Sequence, residues 1–276
     1  MRKNKTRTRL LSWLLTLSML LSLLPGGVFA AGESDGAFVD AAVFFSDLHS
    51  TSSDSKTTMT TKVMGSIANG LSAAHPGKKV SAVFSVGDVF SSNEYQNSGS
   101  LSTITNNIVT GLGTVAPSAD DVYYTWSDHD RNTEIENFTG LMYGADGNTN
   151  YYVYAISMSD MTSSTRYGVA STYKAEKLTA FTNTVKELDK TKPLFVATHV
   201  PLHDRRDDNQ YGDEWYNVIY EAAKEMDVTV FWGHNHTSEP SSERELFFVE
   251  PGTKSFAVVM PVATLPPNSP MPTPAT

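Results

Sequence analysis

Residues 80–88, Val80-Ser81-Ala82-Val83-Phe84-Ser85-Val86-Gly87-Asp88, decide how this chain is read. A short, nearly continuous apolar run reads as a strand buried on both faces. The run stops at a glycine, which lets the backbone approach closely, and then presents a carboxylate. The same pattern recurs on both sides. Upstream, Phe38 to Phe45 ends in Ser46-Asp47-Leu48-His49. Downstream, Val122 to Trp126 ends in Ser127-Asp128-His129-Asp130, Leu194 to Thr198 ends in His199, and Val228 to Trp232 ends in Gly233-His234-Asn235-His236. Tyr151 to Met158 is a further strand without such an ending. Apolar residues at helical spacing lie between the strands: Met59, Val63, Ile67 and Leu71, stopped by Pro76-Gly77; Leu101, Ile104, Ile108 and Leu112; Leu178, Phe181, Val185 and Leu188; Trp215, Ile219, Ala222 and Met226. The alternation predicts an α/β fold, in which ligand sites gather at the carboxyl ends of the strands.

Six of the seven histidines lie in or beside these strand-end clusters: His49, His129, His199, His203, His234 and His236. His75 stands apart and reads as a surface or capping residue. Core packing does not explain six histidines at equivalent topological positions, each near a carboxylate or another histidine. Carboxylate oxygen and imidazole nitrogen are what divalent metals take. Asp47 and His49 flank a single residue at a strand end, where both can reach one ion, and His234 and His236 again flank a single residue after a glycine. The set supplies enough ligands for two ions. Ions about 3.5–4 Å apart clamp a phosphoryl group and ionise a water between them.

Hydrophobic residues make up 40% of the 276, enough to bury a globular core. Arg2, Lys3, Lys5, Arg7 and Arg9 precede an apolar run from Leu10 to Leu24, then Pro25, two glycines and Val28-Phe29-Ala30. This is the plan of a secretory signal peptide cleaved after Ala30, and the run is short for a membrane span. The expected domains are therefore a signal peptide (1–30), one catalytic-type domain (31–260) and a disordered tail (261–276), where six of sixteen residues are proline. The expected location is extracellular, with no membrane attachment after cleavage. Loss of the five basic leader residues leaves 16 basic against 30 acidic residues, a net of −14. So acidic a domain is no general nucleic-acid binder, but bound cations can reverse the sign locally for a phosphate ester. There is no cysteine, which excludes disulfides, thiolate catalysis and zinc–thiolate sites.

The ordered series Asp47-Leu48-His49, Gly87-Asp88, Ser127-Asp128-His129-Asp130, His199 and Gly233-His234-Asn235-His236 resembles the five signature blocks of the calcineurin-like metallophosphoesterases, from about Val39 to Thr253. The resemblance implies a two-layered β-sandwich flanked by helices, with a dimetal site at strand C-terminal ends. It implies that Asp47, His49 and His236 bind one metal, that Asp128, His199 and His234 bind the other, and that Asp88 bridges them. It makes His129 a proton or hydrogen-bond donor to the ester oxygen, oriented by Asp130. The implied reaction is hydrolysis of a phosphomonoester or phosphodiester by hydroxide held between two divalent ions, Mn, Fe or Zn. A small-molecule or cell-surface phosphoester is the expected partner.

The third block departs from the family's usual Gly-Asn by reading Ser127-Asp128. The added charge is expected to tighten metal binding and weaken activation, which keeps open a metal-binding scaffold without turnover. Ser91 stands where a purple acid phosphatase has tyrosine, so a ferric–tyrosinate centre is not expected. Asn93, His203 and Arg206 are candidate substrate contacts. For His203 a loop role is an equally good reading, and for Arg205 or Arg206 a solvated cluster with Asp207 and Asp208 is the better one.

Overall fold

The computed structural model describes residues 39–50, 54–91, 100–131, 133–161, 163–165, 168–202, 213–234, 247–249 and 255–259. All of them lie in the unit Ala31–Thr276. Strands β1 (Ala42–Phe45), β2 (Ala82–Ser85) and β3 (Val122–Tyr124) pair in that order as a parallel sheet. A six-stranded mixed sheet holds β4 (Gly140–Tyr143), β5 (Tyr152–Ile156), β6 (Leu194–Thr198), β7 (Asp227–Phe231), β8 (Phe247–Val249) and β9 (Ser255–Val259), in the order β4-β5-β6-β7-β9-β8. Its four central strands are mutually parallel, and β4 and β8 run antiparallel at the two edges. Parallel neighbours need crossover connections. Helices α1 (Asp54–Ala74) and α2 (Leu101–Leu112) provide them in the first sheet, and α3 (Ala175–Glu187) and α4 (Asp213–Ala223) in the second.

The two sheets face each other across an aromatic layer. Phe44 of β1 stacks on Phe231 of β7 with centroids 3.9 Å apart, and meets Phe195 of β6 edge-on. Phe84 of β2 meets Tyr151, just before β5, in the same way. Side chains alternate along a strand, so the neighbours of these residues point outward. Val43, Phe45 and Val83 pack with Met64, Leu71, Ile104, Ile108 and Leu112 of α1 and α2. Tyr154, Ile156, Val196 and Val230 pack with Phe181, Trp215 and Ile219 of α3 and α4. Strands β2, β5 and β6 are buried along their whole length, which is why they read as unbroken apolar runs. Each fully buried aromatic or aliphatic side chain contributes about 1.5–3 kcal/mol of apolar transfer.

Helices thus flank two facing sheets, in line with the coarse α/β expectation. Two details differ. β4 is not among the strands that the sequence pattern predicts. It is a half-buried edge strand whose apolar run, Leu141-Met142-Tyr143, is too short to show a period. On α1 the buried stripe runs through Thr60, Met64, Ala68 and Leu71, and Met59, Val63 and Ile67 lie at its margin. Helix α2 comes so close that a Cβ on Gly111 would lie 2.7 Å from Met64 Cβ, which puts Met64 in the contact between the helices. Residues 1–30 and 261–276 lie outside the described residues. Among the described residues no helix is long and apolar enough to cross a membrane.

Candidate metal centre

Beyond their last paired residues, β1 and β2 continue side by side. Asp47 N–H donates to Gly87 O (3.1 Å), His49 N–H to Asp88 O (2.9 Å) and Ser50 N–H to Val89 O (2.7 Å). This ladder brings Asp47, His49 and Asp88 to one edge. From the other sheet, Gly233 N–H donates to His199 O (2.9 Å), joining the ends of β6 and β7. Two glycines make the approach possible. At Gly87 (φ +108°) a Cβ would lie 2.5 Å from His199 Nδ1 and 2.8 Å from Ser127 Cβ. At Gly233 a Cβ would overlap Ser46 Oγ and lie 2.6 Å from Asp47 Oδ2. Among the described residues, the non-glycine residues with positive φ are Asp47, His49, Asp88 and His234. Such backbone costs about 1–3 kcal/mol per residue and persists only where the surroundings impose it.

Two groups of donor atoms result. Asp88, Asp128, His199 and His234 each place one ligand atom within 4.8 Å of the others, and so do His49, Asp88 and His129. Asp88 belongs to both, through different oxygens. Its Oδ1 lies 3.1 Å from His199 Nε2, and its Oδ2 lies 3.5 Å from His49 Nε2 and 4.0 Å from His129 Nε2. His199 is fully buried, and its Nδ1 meets Val86 O at 3.0 Å. A proton on Nδ1 therefore leaves Nε2 to face Asp88 and His234 Nδ1, 3.2 Å away. Asp47 stands beside the groups: its carboxylate accepts from His234 N–H (3.2 Å) and Ser46 Oγ, with His49 Nε2 at 3.9 Å.

The electrostatics favour a cation here. Burial pushes the Asp88 carboxyl up, but the His199, His129 and His49 imidazoles outweigh it and leave the group well below the usual range. Burial pulls His199 down, but the charge and hydrogen bond of Asp88, then Asp47 and Asp128, carry it up to about 10. Asp128 is raised by burial and by the Asp88 charge, against the pull of His199 and His129. Its Oδ1 is buried and accepts no hydrogen bond among the described residues. An orphaned carboxylate oxygen, ringed by two imidazole nitrogens and a second carboxylate, suits a divalent ion. The buried Asp and His residues can thus hold metal.

Asp130 does work that the sequence did not signal. Its carboxylate is fully buried and accepts from the backbone N–H groups of Asp88, Val89 and Phe90, each at 3.1 Å, and lies 2.6 Å from Ser127 Oγ. Burial, chiefly, pushes it up to about 7. Its observed work is to hold the 88–90 turn, because three backbone N–H groups there converge on it. His129 packs edge-on against His49, with 33% of its side chain exposed where His199 has none. Two residues that sequence reasoning left without a role also belong to the site. Ser127 bonds Asp88, and Arg131 ties Asp128 O (2.8 Å) to Gly168 O (2.9 Å). The departure of the third block was the only signal for Ser127. Nothing in the sequence pointed to Arg131. His236, Asn93, His203 and Arg206 lie outside the described residues.

No family model and no curated protein matches this chain. Among solved structures, one that matches is the phosphopantetheinyl hydrolase of Mycobacterium tuberculosis, at 12% identity and a TM-score of 0.42, over 81% of this chain and 90% of that one. So distant a likeness says nothing about the reaction, and the site is read from its own residues.

Proposed function

We propose that this chain is a secreted, metal-dependent phosphoesterase of the calcineurin-like type, hydrolysing a phosphomonoester or phosphodiester. The observation that carries the reading is Asp88, whose two oxygens face two separate groups of imidazole and carboxylate donors. In this reading Asp47, His49 and His236 hold one divalent ion, and Asp128, His199 and His234 hold a second, with Asp88 shared. Such a pair supplies charge neutralisation for the phosphoryl oxygens and an acidified water. The chain does the rest. Val86 O fixes the His199 tautomer, and the Asp130-bound turn fixes Asp88. The partly exposed His129 stands at the mouth, where a proton on its ring can pass to the leaving ester oxygen.

The test uses purified mature protein with added Mn2+ and a panel of phosphomonoesters, phosphodiesters and nucleotides. Turnover on at least one class is expected. Asp88→Asn is expected to reduce it more than about 100-fold, since even partners behind a ligand cost 10–100-fold. Unchanged metal-dependent turnover in Asp88→Asn would defeat the scheme. The secretion arm is checked by the N-terminal mass of the exported protein, expected to begin at Ala31.

Asp128 favours a second reading. A third buried carboxylate binds metal more tightly and weakens its pull on a substrate, as a metal-binding module without turnover would have it. Bound metal with no turnover across the panel would select that reading.

A further inference from the structure

We propose that Ser127 is a positioning residue: its hydroxyl fixes the rotation of the Asp88 carboxylate and so keeps one oxygen on each donor group. The proposal rests on the two-metal reading above. Ser127 is fully buried. Its Oγ accepts the Asp88 N–H at 2.8 Å and lies 2.6 Å from Asp88 Oδ1 and 2.6 Å from Asp130 Oδ2. A hydroxyl has one hydrogen, so it serves one carboxylate at a time. Asp130 already accepts three backbone N–H groups. Among the described residues, the Oδ1 of Asp88 has a single hydrogen-bond neighbour besides Ser127, the His199 ring nitrogen at 3.1 Å. The hydroxyl hydrogen therefore belongs to Asp88.

The terminal torsion of an aspartate is broad and has no staggered wells to hold it. A modest turn of the Asp88 carboxylate would take Oδ1 from the His199 side, or Oδ2 from the His49 and His129 side. Ser127 opposes that turn because the same oxygen grips both the main-chain nitrogen and the side chain of Asp88. The Ser127 Cβ that carries the hydroxyl packs against Gly87, where a Cβ on the glycine would lie 2.8 Å from it.

The experiment titrates the metal-free full chain with Mn2+ alone, following heat and the electron paramagnetic resonance spectrum. Wild type is expected to take up two equivalents and to give the spectrum of a coupled pair. Ser127→Ala is expected to weaken the second equivalent by about 10- to 100-fold and to replace the coupled spectrum with that of isolated ions. Ser127→Thr keeps the hydroxyl and is expected to keep the coupled spectrum. It also decides the matter if the alanine variant does not fold. Unchanged affinities and coupling in Ser127→Ala, or lost coupling in Ser127→Thr, would overturn the role of the hydroxyl and leave the two-metal reading intact. A wild type that binds a single ion would bring down both.

Discussion

Asp88 and His199 set the charge state of the centre, and their pairing has a pH signature. His199 is raised from 6.5 to about 10, so in the metal-free protein it stays protonated through neutrality. A metal needs the lone pair on Nε2, and binding must expel that proton. Apparent metal affinity is therefore expected to rise about tenfold per pH unit from about 7 and to level off near 10, with roughly one proton released per ion at this position. Calorimetry in buffers of different ionisation enthalpy checks the proton count. Metal-free stability follows the opposite trend. A raised histidine stabilises fully below 6.5 and loses its contribution as pH climbs through about 10. A depressed carboxyl such as Asp88 stabilises above 3.8 and loses its contribution as pH falls. The pair thus supports the metal-free fold best between about 3.8 and 6.5, which thermal melts across pH will test. His129 lies in the donor group of His49 and Asp88, and in the proposed reading it donates a proton and does not bind metal. His129→Asn is expected to lower turnover about 100- to 10,000-fold while metal content by mass spectrometry stays that of wild type.

The elements contribute through the turns that end them. The loops after β1, β2 and β7 hold left-handed backbone at Asp47, Asp88 and His234, and Gly233 lets β7 end directly against Ser46 and Asp47. A methyl at that point has to displace buried side chains. Gly233→Ala is expected to cost about 1–3 kcal/mol of stability, as overpacking does, and to weaken metal binding because Ser46 and the Asp47 carboxylate beside it must move. Denaturant melts with a metal titration measure both. An alanine variant with native stability and native metal affinity would mean that the Ser46–Asp47 turn yields freely.

For the whole molecule, the centre is a cross-link between sheets. Asp47, His49, Asp88 and Asp128 follow strands of the three-stranded sheet, and His199 and His234 follow strands of the six-stranded one. Any ligand that binds only the folded state stabilises it, by about 2.7 kcal/mol at a hundredfold excess over Kd. At roughly 2–4 °C per kcal/mol for a domain of this size, chelation is expected to lower Tm by about 5–11 °C. Removal of metal without a change in Tm, followed by calorimetry, would show that the aromatic layer alone joins the sheets.

The sequence determined the strands that reach the centre and the residue types at their ends, because buried parallel strands must be apolar throughout and the polar side chains crowd where those strands stop. Asp47, His49, Asp88, Asp128, His199 and His234 could be named from that pattern, and so could the helices between them. Strand β4 could not, since a half-buried edge leaves no periodic trace, and the true face of α1 depended on how closely α2 approached. Only the tertiary structure decided which atoms share a centre, that Asp88 looks both ways, and that Asp130 and Ser127 serve the turn beneath it. Those facts depend on hydrogen bonds between residues 42, 113 and 187 positions apart, whose directions are set by how the strands pack and turn.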